Sequence, residues 1–134
     1  MNRLQGHIVD IEVSGNLSVV TVAIDNNIRL KAIVIETPES AEYLRKERQI
    51  LLLFKETEVI IGTGKNFQVS VLNRIPGKII NIEKGRLLSR IVLETDGGEI
   101  TAIIGSHAVD QLRLKMDLDV TAMIKLNEVM LKEI

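Results

Sequence analysis

Cysteine is absent from this chain, which removes disulfides, thiolate metal ligation and thiol catalysis together. Tryptophan is absent too, and the only aromatic residues are Tyr43, Phe54 and Phe67. A core of ordinary density must therefore be built from Ile, Leu and Val, whose branched side chains suit pleated, half-buried surfaces. The longest apolar run is Ile50 to Phe54, far short of a membrane span, and no charged-then-apolar leader opens the sequence. No membrane insertion is expected, and a cytoplasmic location is the default. The net charge of −1 and the scarcity of aromatic stacking platforms argue against a nucleic-acid binder. His7 and His107 stand alone at unmatched positions, so no metal site is expected. The carboxylates are scattered and form no nucleophile–base–acid set. The chain does not read as an enzyme.

What is present is an internal repeat. Asn2-Arg3-Leu4-Gln5-Gly6-His7-Ile8-Val9-Asp10-Ile11-Glu12 returns as Asn73-Arg74-Ile75-Pro76-Gly77-Lys78-Ile79-Ile80-Asn81-Ile82-Glu83, with six of eleven positions identical. The match continues at the same offset through Ser18/Ser89 and Asp25/Asp96. After a shift of one residue it resumes at Ala32-Ile33/Ala102-Ile103, Lys55/Lys125 and Glu58-Val59/Glu128-Val129. Two copies of about 65 residues are each marginal as isolated folding units. Contact between like units is therefore expected, and function is expected at that contact. The halves differ in charge: residues 1–64 carry seven Lys/Arg and nine Asp/Glu, residues 65–134 ten and nine. An anion would favour the second half.

Both copies read alike. Residues 3–13 and 74–83 are predicted strands, with Gly6 and Gly77 marking a bulge or sharp bend. A turn leads to strands at 17–24 and 87–95. Asp25-Asn26-Asn27 and Asp96-Gly97-Gly98 are hairpin turns, and the third strands run over 28–35 and 99–104. A short helix is expected after each: one from Thr37-Pro38-Glu39, burying Ala41 and Leu44, the other from near Ser106, burying Val109 and Leu112. A closing pair of strands follows, 49–55 with 58–61 and 119–125 with 128–131. Residues 62–69 are polar with two glycines, and the linker proper is 65–69. The predicted fold is all-β: two tandem OB-like five-stranded barrels, residues 1–64 and 70–134, each with one short helix.

Ser70-Val71-Leu72-Asn73-Arg74-Ile75-Pro76-Gly77-Lys78-Ile79 resembles the opening of the Mop/TOBE domain, which starts Ser-Ala-Arg-Asn, then a hydrophobic residue and Gly-Lys-Val. Ala108 to Lys115 resembles the family's Ala-Val-x-x-Leu-x-Leu-Lys segment. Ala122-Met123-Ile124-Lys125 and Val129-Met130-Leu131 resemble its ending. The resemblance implies a di-Mop protein that binds molybdate or tungstate between Mop units, with no other cofactor, and serves molybdenum storage, homeostasis or sensing. It also implies a symmetric homo-oligomer, a dimer or trimer, and similarity to the regulatory tails of molybdate-importer ATPases and molybdate-responsive repressors.

A tetrahedral dianion offers only acceptors, so its site must supply donors. The resemblance carries that role to Ser70, Asn73, Lys125, Thr101 and Ser106 in the second copy, and to Asn2, Lys55 and Thr37 in the first. Leu72 stands where the family has Arg. Thr101 is matched by Lys31 and Ser106 by Glu36, and the first copy has no counterpart of Ser70. Two readings from other classes stay open. One is a non-binding interaction module that docks on a molybdate transporter or regulator. The other is an OB-type nucleic-acid binder. Read from the residues alone, Asn2 and Asn73 also fit a structural hydrogen bond that starts each barrel.

Overall fold

The computed structural model describes residues 1–25 and 27–134. The first copy holds β1 (Asn2–Ser14), β2 (Leu17–Ala23), β3 (Arg29–Val34), β4 (Gln49–Phe54) and β5 (Ile60–Gly62). The second holds β6 (Asn73–Lys84), β7 (Leu88–Thr95), β8 (Gly98–Gly105), the helix α1 (Ser106–Gln111), β9 (Asp119–Ile124) and β10 (Met130–Glu133). A 3-10 turn precedes each last strand, at Glu56–Glu58 and Leu126–Glu128. These elements form two OB-like five-stranded barrels, and among the described residues no helix is long and apolar enough to cross a membrane.

Each barrel starts on a strand whose alternation is interrupted once. In β1, Leu4 and Ile8 point inward and are buried, and Gly6 shares their face. The next core residue, Ile11, comes three positions later rather than two. A β-bulge absorbs the extra residue: pairing with β2 shifts between Ile8 and Asp10, which brings Ile11 back towards the core. The second copy repeats this between Ile79 and Asn81. The bulge thus lies three residues beyond the glycine expected to mark it. Gly6 instead permits close approach: a Cβ there would lie 2.3 Å from the Ala23 carbonyl oxygen.

The one-residue shift between the copies falls in the β2–β3 and β7–β8 hairpins. Thr95 pairs with Gly98 across the two residues Asp96 and Gly97, with Gly98 at φ +120°. In the first copy Ile24 N–H bonds the Ile28 carbonyl across three residues, one of which, Asn26, lies outside the described residues. Asp25 Oδ1 accepts from the N–H groups of Asn27 and Ile28, both at 2.8 Å.

Two expectations are corrected. The first copy has no α-helix after β3. The Thr37 carbonyl accepts from Ser40 N–H and Ala41 N–H, giving one helical turn that goes no further. Ser40 Oγ accepts from Thr37 N–H at 2.9 Å and so closes the N-terminal end of that turn. Ala41 and Leu44 are still buried as expected. Tyr43 is half-buried and donates its hydroxyl to Glu36 Oε1 at 2.5 Å, and its pKa is pushed up, first by burial and then by that acceptor.

The second correction concerns the closing strands. β4 does not pair with β5, nor β9 with β10. The sheet orders are β10-β4-β1-β2-β3 and β5-β9-β6-β7-β8. Each sheet takes four strands from one copy and its fifth from the other: Ile61 lies opposite Ala122, and Leu131 opposite Leu52. The connecting segments explain why. Lys55-Glu56-Thr57-Glu58 and Lys125-Leu126-Asn127-Glu128 lack the glycine that a tight hairpin favours, and each forms a 3-10 turn entered and left in extended conformation. The chain is projected onward instead of folding back. The core is correspondingly continuous, running from Leu4, Ile8 and Phe54 through Val59 and Ile61 to Ile75, Ile124 and Val129.

Gly6→Ala should destabilise the protein by about 1–3 kcal/mol, because neither backbone can retreat without strain. Gly105→Ala, where a Cβ meets nothing within 4 Å, should leave the midpoint unchanged. Equal thermal midpoints for the two variants would contradict the close approach at Gly6.

Candidate functional site

The two copies meet through a pair of side-chain amides. β3 and β8 lie at sheet edges, where alternate residues turn their N–H and C=O groups away from the sheet. Asn73, at the start of β6, answers one such residue across the copy boundary: Lys31 N–H donates to Asn73 Oδ1 at 2.7 Å, and Asn73 Nδ2 donates to the Lys31 carbonyl at 2.8 Å. Asn2, at the start of β1, does the same to the second copy: Thr101 N–H donates to Asn2 Oδ1 and Asn2 Nδ2 to the Thr101 carbonyl, both at 2.8 Å. A carboxamide has the donor–acceptor pair of a peptide group, so each Asn acts as one residue of an extra strand. Both are buried.

These clamps sort the candidate residues into two junctions. In the first, Asn73 is the register partner of Ile124, whose neighbour is Lys125. The 3-10 turn that follows Lys125 lies against β3, which carries Lys31. Ser70 lies three residues before Asn73 and is exposed. In the second junction, Asn2 is the partner of Phe54, next to Lys55, and the turn that follows Lys55 lies against β8, which carries Thr101. Lys55 and Lys125 are exposed, and among the described residues neither ammonium joins an ion pair. The structure thus gathers Asn73 and Lys125 at one junction, with Ser70 three residues before Asn73 in the chain, and Asn2, Lys55 and Thr101 at the other.

Ser106 is placed elsewhere. It follows β8 at the end where Leu88 pairs with Gly105, the opposite end of the β6–β7 hairpin from Asn73. Its buried hydroxyl donates to the Gly85 carbonyl at 2.7 Å and accepts from Ser89 Oγ at 2.7 Å, so it has no free proton for a ligand. In the first copy, Ser18 Oγ donates to the Glu36 carbonyl at 2.6 Å, and Thr37, half-buried, donates its N–H to Ser40.

Two residues outside the sequence-based candidates shape the region. Lys31 lies at the first junction, a place visible only once the Asn73 clamp is known. Arg74 holds the linker: its guanidinium donates to the carbonyls of Phe67, Val69 and Val71 at 3.2, 2.7 and 3.0 Å and lies 5.5 Å from the Phe67 ring centroid. It thereby fixes the segment that carries Ser70.

Asn73→Ala or Asn2→Ala removes two hydrogen bonds and leaves an edge N–H and C=O unpaired between the copies. Each should cost about 1–3 kcal/mol in urea unfolding. Asn73→Asp should not recover the loss, because a carboxylate oxygen would then face the Lys31 carbonyl. Unchanged midpoints for both alanine variants would refute the clamp.

The TOBE domain family model matches residues 1–61 and again 69–131. Molybdenum-pterin-binding protein 1 of Clostridium pasteurianum is 38% identical over 64 residues, which are 47% of this chain and 94% of that protein. The molybdenum transport protein ModE of Herbaspirillum seropedicae is 29% identical over 131 residues, 96% of this chain but 49% of that protein. Among solved structures, that of the cytoplasmic molybdate-binding protein ModG with molybdate bound superposes with a TM-score of 0.91 at 25% identity, covering 99% of this chain and 96% of that one. With both repeats matched over nearly their full lengths, the chain belongs to the TOBE domain family and carries two copies of the domain.

Proposed function

We propose that this chain binds molybdate or tungstate at the junctions between its TOBE units and serves molybdenum storage, homeostasis or sensing in the cytoplasm, as a binding protein rather than an enzyme. The observation that carries this reading is the end-to-end likeness to ModG, a protein whose structure holds molybdate. The chemistry of the junctions supports it. Lys125 and Lys55 each present a compact charge with three donors beside a cross-copy contact. Ser70 adds a hydroxyl close to Asn73 in sequence, and Thr101 offers one beside Asn2. Asn73 and Asn2 use their amides to hold the junctions together, and each Nδ2 keeps one further N–H. Ser106 is assigned to the fold, since its hydroxyl is already committed.

The protein assembles as a symmetric dimer or trimer. Ile35, Leu72, Leu87 and Leu88 are each more than 60% exposed, and a symmetric interface would cover large apolar side chains of this kind. Light scattering at micromolar concentration should report a multiple of 15.0 kDa, and a monomer mass would overturn this part of the reading.

Calorimetric titration should show heat with molybdate and tungstate. Lys125→Ala removes one charge-assisted hydrogen bond and should weaken binding by about 1.5–3 kcal/mol. Undiminished affinity in that variant would reject Lys125 as a ligand. No binding of either anion to the parent protein at about 100 μM, a weak-affinity limit, would reject the function itself.

A further inference from the structure

The internal repeat allows the two junctions to be compared residue by residue. The clamping Asn and the Lys that precedes the 3-10 turn are the same in both. Two of the positions that differ change the charge, and both changes favour an anion at the same junction. Opposite Asn73 the clamped residue is Lys31; opposite Asn2 it is Thr101. After Lys125 comes Leu126; after Lys55 comes Glu56, whose carboxylate lies 3.5 Å from the Met1 amino group.

We propose that Lys31 is an oxyanion-binding residue, contributed by the first copy to the Asn73–Lys125 junction, and that it makes this junction the tighter of the two. The proposal rests on the oxyanion reading above. Leu30 and Ala32 are fully buried in the first barrel, so the alternation of β3 turns Lys31 to the other face. Its backbone is fixed on both sides by Asn73, which removes one source of disorder from the base of the side chain. The 3-10 turn that begins after Lys125 lies against the same strand. Two ammonium-bearing residues therefore flank one buried amide, and among the described residues neither is paired with a carboxylate. Two like charges at one junction repel each other until an anion neutralises them, and a tetrahedral dianion matches a pair of cations in charge and in donor demand. At the other junction Thr101 is buried and brings no charge, and the Glu56 carboxylate offsets the charge of the Met1 amino group.

The test is calorimetric titration of the full chain with sodium molybdate, comparing the parent with Lys31→Thr, Lys31→Arg and Thr101→Lys. Lys31→Thr should weaken the tightest binding class by about tenfold or more, the effect of losing a charge-assisted hydrogen bond. Lys31→Arg should retain affinity within about threefold, because the charge is kept. Thr101→Lys should strengthen the weaker class, and the equivalent position already accommodates a lysine. Ligand-free melting temperatures should match the parent for Lys31→Thr and Lys31→Arg, separating a ligand from a structural residue. If the parent binds molybdate and Lys31→Thr gives a superimposable isotherm, Lys31 is not a ligand, while the oxyanion reading stands. If Thr101→Lys leaves the weaker class unchanged, charge at this position does not set the difference between the junctions. If the parent gives no heat with molybdate or tungstate, the oxyanion reading fails and this proposal with it.

Discussion

The structure depends on a backbone problem solved across the copy boundary. An OB-like barrel of about 65 residues leaves one sheet edge with unpaired N–H and C=O groups and too little core to stand alone. Here both deficits are met by the other copy. Asn2 and Asn73 pair the edge residues Thr101 and Lys31 through carboxamides, and β5 and β10 cross over to complete the opposite sheets. The exchange carries Val59, Ile61 and Val129 into a shared core, so apolar burial reinforces the polar clamp. Neither copy can move far from the other without breaking a ladder, a pair of amide bonds and core contacts together.

That arrangement links stability to function. The segments that tie the copies together also carry the exposed lysines: Lys55 and Lys125 open the turns through which the exchanged strands leave. Lys31 is held in place by the same amide that seals the first junction. In the proposed function, rigid backbone therefore sets the lysines before a ligand arrives, and the ordering cost on binding is confined to their side chains. Arg74 extends this to the linker, whose carbonyls it gathers so that the chain enters β6 along a defined path.

Much of the fold was legible in the sequence. The repeat, the turn residues and the alternation in the first three strands of each copy located those strands to within a residue or two. The helix after β8 is present, but its first-copy counterpart stops after one turn, a difference that the repeat itself does not reveal. The exchange of β5 and β10 was not legible. A three- or four-residue strand with one or two inward side chains fits either barrel equally well, and only the extended geometry around the 3-10 turns decides. The structural reading of Asn2 and Asn73 was available from their recurrence, but their partners were not, because sequence spacing does not reveal contacts 42 and 99 residues apart. Lys31 was hidden for the same reason. It looks like any solvated strand lysine until the amide that grips its backbone is seen.

The most direct measurement of the account is the location of the anion. Crystals of the full chain grown with tungstate should show an anomalous scattering peak within hydrogen-bonding distance of the Lys125 ammonium, at the junction where Asn73 bonds Lys31. A peak enclosed within one barrel, or at the Ser89–Ser106 hydroxyl pair, would contradict the placement of the site between the copies.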